Sequence, residues 1–426
     1  MTLVIFLSVL IVSILLGIPV AFALLLASVA LMLHMDLFSA DILAQSLVNG
    51  VDSFALLAIP FFLVAGEVMA SGGLSRRIVR LAMAYVGHRK GGLGYVAVFT
   101  AVVLAGLSGS AAADAAALVA ILFPMMKGAG YPEGRSAGLL AAGGIIAPVI
   151  PPSVPLILIG VAGNISITKL FMGGIAPGLM MGAALLITWS VLVRNEPMDA
   201  KPKADKQERR AALRDGIWAL CLPFIIIIGI RFGIFTPTEA AVVAAVYAVL
   251  VSTLVYHELT WAKFFHVLIS ASKSTGMIMF LVGSAMVASW LITVAQLPQE
   301  LAQVLAPLID SPRLLMAAIM LLVLAIGMVM DLSPTVLILV PLLMPVVRTA
   351  GIDPVYFGLM FIMNTCIGLI TPPVGTVLNV VCGVGKIRVE KAVVGILPFV
   401  GVYSLLLILF IIFPELIIVP MRLIAG

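Results

Sequence analysis

The sequence predicts an all-α integral membrane protein made of two inverted-topology repeats. Composition is the first ground. Of 426 residues, 63% are hydrophobic and only 10% are charged, against about 25% charged in a soluble domain. Such a chain cannot cover itself with a water-compatible surface, so its surroundings are a lipid bilayer. The long apolar runs lack the alternation of barrel strands and read as helices. The second ground is a register of backbone breakers. Pro19 and Pro237 stand 218 residues apart, as do Phe62-Leu63-Val64 and Phe280-Leu281-Val282. Gly106 and Gly327, Pro124 and Pro345, Gly130 and Gly351, and Pro151-Pro152 and Pro372-Pro373 stand 221 apart. Gly and Pro are placed for backbone reasons, so their register is a statement about shape. Two related halves in an apolar chain are a design of secondary transporters.

The third ground is where the charge lies. The net charge of +5 gathers in a few short stretches: Arg76 to Lys90, Lys201 to Arg214, Lys386 to Lys391, and Lys127 with Arg135. The positive-inside rule places all four in the cytoplasm. This charge describes topology and not nucleic-acid binding.

The elements follow in order. Met1 to Leu33 lacks a basic n-region and a cleavage site, and reads as mature membrane segment. Gly94 to Met126 begins and ends beside cytoplasmic lysines, and its middle, Gly106-Leu107-Ser108-Gly109-Ser110, is a poor helix. It is predicted to be a re-entrant hairpin (94–126). Arg135 to Ile167 leaves the cytoplasm as a helix broken at Pro148 to Pro155, and Leu170 to Val193 returns. These segments form a first repeat, 1–194. The hydrophilic stretch 195–215 is its linker to a second repeat, 216–426. There Gly216 to Arg231 exits, Pro237 to Tyr256 returns, and Trp261 to Ala271 forms a short interfacial arm carrying His266. Thr275 to Val294 exits again. Arg313 to Val347 is the second hairpin (313–347), turning at Gly327 to Pro334 and entering from the opposite face. Pro354 to Gly385 is the second broken helix. A last helix, Ala392 to Pro420, leaves the C-terminus outside.

Non-helical backbone at membrane depth is tolerated only where it is buried in protein or lines a cavity. The two hairpin tips and two breaks are therefore the candidate site. Proline frees carbonyls one turn earlier. With hydroxyl and amide oxygens these suit a small hard cation such as Na⁺, while half-helix N-termini favour an anion. One cation site is expected at Ser108, Gly109, Ser110, Gly143, Ile146 and Pro148. Its symmetric counterpart is expected at Asp331, Ser333, Thr335, Asn364, Gly368 and Thr371. Between them, Ser110, Asp114, Pro152, Ser153, Thr335, Pro373 and Thr376 are the expected substrate contacts. Asp114 and Asp331 carry two readings: an intramembrane carboxylate is a functional hypothesis, and a carboxylate beside a turn caps a helix. Packing is the competing account of the breaks, since small residues let helices approach closely.

Enzyme motifs are absent. Gly106 to Ser110 resembles a nucleophile elbow but lacks its last glycine and its strand. There is no Walker A sequence. The four His have no metal-ligand spacing, and Cys221, Cys366 and Cys382 read as packing thiols. Glu239, just after Pro237, reads as a first-turn carboxylate. The class that competes with a transporter is an ion channel or a proton-translocating subunit, which needs a continuous polar pathway or a carboxylate relay.

Four motifs in order then carry a resemblance: Gly-Leu-Ser-Gly-Ser-x-x-x-Asp at 106–114, Ala-Pro-x-Ile-Pro-Pro-Ser at 147–153, Gly-Met-Val-Met-Asp-Leu at 327–332, and Gly-Leu-Ile-Thr-Pro-Pro-Val-Gly at 368–375. Over essentially its whole length the chain resembles the large permease subunit of TRAP transporters. Asp52-Ser53-Phe54 ahead of Leu56 to Phe62 points within that family to the 2,3-diketo-L-gulonate systems. The resemblance implies a bacterial inner-membrane location and an ion-transporter-superfamily fold working as an elevator. It implies import of an organic acid coupled to Na⁺ without ATP. It also implies two partners, a small four-helix membrane subunit and a periplasmic solute-binding protein.

Overall fold

A computed structural model describes residues 2–194, 196 and 202–425, and every regular element among them is helical. Eight of the described helices are long and apolar enough to cross a membrane. Helices α1 (Thr2–Leu15) and α2 (Val20–His34) have 14 and 15 residues. At about 1.5 Å per residue each falls short of a hydrocarbon core of about 30 Å. The stretch predicted as one segment divides at Gly17, whose φ of 81° ends α1 ahead of Pro19. Helix α3 (Ala40–Val51) is capped by Ser39, and α4 (Ala58–Ser71) follows a 3-10 turn over Phe54–Leu57. In α5 (Leu74–Val86) Leu74, Ile78, Leu81 and Ala82 are buried, while Arg76 and Arg80 point outward.

Next, α6 (Gly92–Ser108) and α7 (Ala111–Gly128) form a helical hairpin that turns at Gly109 and Ser110. Helix α8 (Glu133–Gly144) stops, and the chain resumes as α9 (Val154–Gly163) and α10 (Ile167–Val193). The second half opens with α11 (Lys206–Arg231) and α12 (Pro237–Leu250), the latter running into a π-helical turn, Val251–Val255. Helix α12 starts with a reciprocal cap between Thr236 and Glu239, which gives Glu239 its first-turn role. Then come α13 (Trp261–Val294), α14 (Leu297–Ile309) and a second hairpin, α15 (Pro312–Gly327) with α16 (Leu332–Thr349). Another interrupted pair follows, α17 (Pro354–Gly368) and α18 (Thr376–Gly385), and the chain ends with α19 (Val389–Ile412) and α20 (Glu415–Ala425).

Three boundaries differ from expectation. The stretch 195–215 is not all linker: α11 starts at Lys206, capped by Asp205, whose carboxylate accepts from Glu208 N at 2.9 Å. Lys, Arg, Glu and Ala are good helix formers despite their charge. Residues 195 and 197–201 of that stretch lie outside the described residues. The arm at Trp261 is not separate, because α13 runs unbroken for 34 residues. Within its polar run the Thr275 hydroxyl donates to Ala271 O at 2.7 Å, so it is satisfied on the preceding turn without ending the helix. The last helix divides at Pro414: Phe413 before it is pushed to φ −122°, ψ 74°.

Close glycine contacts hold the centre together. Gly134-x-x-x-Gly138 on α8 lies against α19 at Gly395, where a Cβ on Gly138 would stand 2.6 Å from Gly395 O. The Tyr403 hydroxyl of α19 donates to Ala142 O at 2.9 Å. Together these contacts join the first interrupted helix to an element of the other half.

Candidate functional site

The first turn is built from three residues. Gly109 takes φ 62°, a left-handed conformation suited to glycine, and ends α6. Ser110 is extended and caps α7, its hydroxyl accepting from Ala113 N at 3.4 Å. Ser108 donates its hydroxyl hydrogen to Asp114 Oδ1 and accepts from Ser110 N at 3.2 Å. Asp114 therefore does not cap the helix; Ser110 does. Asp114 is buried, and its Oδ2 has no partner.

The first break lies directly on this turn. A Cβ on Gly109 would stand 2.7 Å from Ser153 Cα and 2.8 Å from Pro152 O. Within the break the carbonyls of Gly143 and Ile146 accept from Ile146 N and Val149 N at 3.2 and 3.0 Å. Ser153 donates its hydroxyl to Pro148 O at 2.7 Å. Ile146 O also accepts from Ile150 N at 3.2 Å and is fully used, whereas the carbonyls of Gly143 and Pro148 each keep a second lone pair.

The second turn and break repeat the arrangement with different chemistry. Asp331 occupies the cap position of α16, yet its side chain makes no capping bond. Thr335 donates to Asp331 O at 2.8 Å and is fully buried. Gly375 N donates to Met328 O at 3.3 Å, and a Cβ on Gly368 would stand 2.6 Å from Gly327 C, so turn and break touch here too. Both breaks carry a cis prolyl bond, Pro151-Pro152 and Pro372-Pro373.

A cavity of about 110 Å³ joins the four pieces. Ser108 to Ala112 line it from the first turn, and Pro148, Val154 and Pro155 from the first break. Asp331, Leu332 and Ser333 line it from the second turn, and Leu369 from the second break. The first turns of α7, α9 and α16 therefore face one space, and helix N-termini favour negative charge. The oxygens present are hydroxyls, carbonyls and single carboxylates, a donor set for hard cations. Among the described residues no three His, Cys, Asp or Glu gather as metal ligands.

Of the expected residues, Ser108, Gly109, Ser110, Pro148, Asp331 and Ser333 line this cavity, and the others do not. Asn364 does not line it: its Nδ2 donates to Met320 O in the α15–α17 contact, and its Oδ1 is buried without a partner. Thr371 donates to Ile367 O at 2.7 Å. Pro152 and Ser153 are buried beneath Gly109, Pro373 is exposed, and Thr376 has a buried hydroxyl without a partner. Asp114 lines a neighbouring cleft of about 220 Å³ together with Glu67, Ser75 and Ser274. The expected site set omitted Glu67, Ser75 and Ser274, whose nearness depends on helices distant in sequence. A carboxylate in an apolar helix was the one available signal, and it belonged to Glu67.

Residues 7–416 match the family model of the DctM component of the tripartite ATP-independent periplasmic transporter. The chain is 57% identical, over 99% of both chains, to the 2,3-diketo-L-gulonate TRAP transporter large permease protein YiaN of Escherichia coli K12. It is 38% identical to the sialic acid TRAP transporter large permease protein SiaM of Vibrio cholerae, over 94% of this chain and 93% of that one. The crystal structure of the Alcanivorax borkumensis YdaH transporter shares the fold with a TM-score of 0.67 at 18% identity, covering 89% of this chain and 91% of that one. These relatives are permeases and not enzymes, in agreement with the missing catalytic motifs. The chain belongs to the DctM family, and is the large membrane permease component of a tripartite, ATP-independent transporter.

Proposed function

We propose that this permease imports an organic acid, a sugar acid such as 2,3-diketo-L-gulonate, driven by a Na⁺ gradient. The observation that carries the reading is the single cavity on which two turns, two breaks and three helix N-termini converge. The N-termini attract a carboxylate. Ser108, Ser110 and Pro148 on one side, and Asp331 and Ser333 on the other, supply oxygens for cations. The hydrogen of Ser108 is held by Asp114 and one lone pair of its Oγ accepts from Ser110 N, which leaves one lone pair for an ion.

In this reading the halves 1–194 and 216–426 are inverted repeats, and the α6–α7 and α15–α16 hairpins enter from opposite faces. The hairpins and interrupted helices move together as an elevator against a scaffold of α1, α2, α11 and α12. The basic loops face the cytoplasm and the C-terminus faces the periplasm of a bacterial inner membrane. A periplasmic binding protein delivers the acid, and a small four-helix subunit flanks the scaffold. The 57% identity to the diketogulonate permease supports the substrate class.

Uptake of labelled 2,3-diketo-L-gulonate into proteoliposomes holding the assembled transporter tests this. An inward Na⁺ gradient should raise the initial rate, and replacing Na⁺ with K⁺ should abolish the stimulation. Uptake indifferent to both ions would remove the coupling. Conductive flux without accumulation would favour a channel.

A further inference from the structure

The cleft beside the site differs from it in chemistry. Its polar lining is Glu67 from α4, Ser75 from α5, Ser274 from α13, and Ser108, Ser110 and Asp114 from the first turn. No Lys, Arg or His lines it. Asp114 is 4% exposed, its Oδ2 has no hydrogen-bond partner, and it takes part in none of the ion pairs among the described residues. A buried carboxylate without a counter-charge is costly unless a cation or a proton neutralises it. Glu67 accepts from Ser270 Oγ at 3.0 Å, so α13 holds its carboxylate in place. The cleft reaches Ser75, next to exposed Arg76 at the basic end of the molecule. It adjoins the 110 Å³ cavity, with Leu63, Ser108 and Ser110 lining both.

We propose that this cleft is a cation-selective side route between the basic face and the first turn, separate from the way taken by the organic acid. Hydroxyls replace part of the water around a monovalent cation along it. The Glu67 carboxylate, with no cationic neighbour in the lining, raises the local cation concentration and repels an anion, and the unpartnered Oδ2 of Asp114 offers a further oxygen to the ion. The acid then leaves by another face of the cavity, and the two species do not compete for one exit. The inference rests on the reading of Ser108 and Ser110 as a cation site, but its electrostatic part is testable apart from transport.

The test uses thiol labelling. Cys221, Cys366 and Cys382 are replaced, and Ser274→Cys and Ser75→Cys are made singly in the assembled transporter in proteoliposomes. Each is treated with a trimethylammonium and a sulfonate methanethiosulfonate reagent of similar size. Relative to a small free thiol, the cationic reagent should react faster at both positions. Glu67→Gln should cut that preference by about tenfold, since one carboxylate is removed from the lining. Glu67→Asp, which keeps the charge, should restore most of it and guards against a folding artefact. Labelling that ignores reagent charge, favours the anion, or fails at both positions would overturn the route. Na⁺-dependent uptake is measured alongside in Glu67→Gln, with the Na⁺ concentration for half-maximal rate expected to rise several-fold. Uptake with no Na⁺ dependence in the parent would defeat the cation-site reading, and the labelling ratio would still decide the electrostatics.

Discussion

Gly109 lies so close to Ser153 that a Cβ on the glycine would stand 2.7 Å from Ser153 Cα. The turn of the first hairpin is thus seated on the first break, and neither can shift alone. The second half repeats the relationship between Gly327 and Gly368, where a Cβ on Gly368 would stand 2.6 Å from Gly327 C. Turn and break behave as one piece in each half because backbone packs on backbone, with no side chain between to absorb a displacement.

Gly109→Ala should therefore damage the site on two counts. The φ of 62° costs a non-glycine residue about 1–2 kcal/mol. The added methyl also meets Ser153 and Pro152 O, forcing the turn off the break. Purified protein should unfold at lower temperature, and uptake should fall by more than tenfold at equal expression. Full uptake in this variant would mean that the seat tolerates a methyl.

Ser108 and Ser110 should separate into different phenotypes although both are hydroxyls beside the same glycine. Ser108→Ala leaves Asp114 with two unpartnered oxygens, a penalty of about 1–3 kcal/mol and more if the group is charged. Ser110→Ala removes a cap whose bond is long, 3.4 Å, at the low end of the usual cost of about 0.5–2 kcal/mol. Both should raise the Na⁺ concentration for half-maximal uptake. Only Ser108→Ala should also lower the unfolding temperature by several degrees. Equal thermal stability of the two variants would show that the Ser108–Asp114 bond adds little.

Turns and breaks were legible in the sequence because Gly and Pro state backbone conformation directly. The turns fall at Gly109-Ser110 and 328–331, inside the expected tips, while the first interruption spans 145–153 against the expected 148–155, because α8 already stops at Gly144 and Pro155 lies in the first turn of α9. Side-chain direction was not legible. Asn364 is one turn from Gly368, and no sequence pattern shows that its Nδ2 is taken by Met320 O while its Oδ1 stays unpartnered. Helix continuity was also hidden. Ser272 to Thr275 reads as a polar interruption, yet α13 continues through it, with Thr275 bonded to the preceding turn. Glu67 stands out only as a lone carboxylate in the apolar helix α4. Its partner Ser270 is 203 residues away, a nearness that no local pattern carries.

The α8–α19 crossing should be intolerant of volume. In Gly138→Ala the new methyl would stand 2.6 Å from Gly395 O and 2.7 Å from its carbonyl carbon. Backbone on both sides leaves nothing flexible to yield, so the helices must separate, an overpacking cost of about 1–3 kcal/mol or more. Separation also stretches the Tyr403–Ala142 bond one turn away. The variant should unfold at markedly lower temperature, and Gly401→Ala, on α19 with open space around it, should not. Equal stability of the two would dissociate the close crossing from the stability of the fold.

The elevator reading makes a prediction about two cross-links of matched geometry. A Cβ on Gly106 would lie 3.2 Å from Pro223 Cβ, bridging the first hairpin and α11. A Cβ on Gly143 would lie 3.1 Å from Ala101 Cβ, bridging α8 and α6. Both approach the Cβ separation of a disulfide, about 3.5–4.5 Å, and close with a small adjustment. In a transporter whose hairpins and interrupted helices move together past α11, the first link joins moving body to scaffold and the second stays within the moving body. After replacement of the native cysteines, oxidation of Gly106→Cys/Pro223→Cys should stop uptake, and reductant should restore it. Oxidation of Gly143→Cys/Ala101→Cys should leave the rate within about twofold of its reduced form, since no relative motion is constrained. Uptake that continues with the first pair fully cross-linked would place α11 in the moving body, and arrest by the second pair would place motion between α6 and α8.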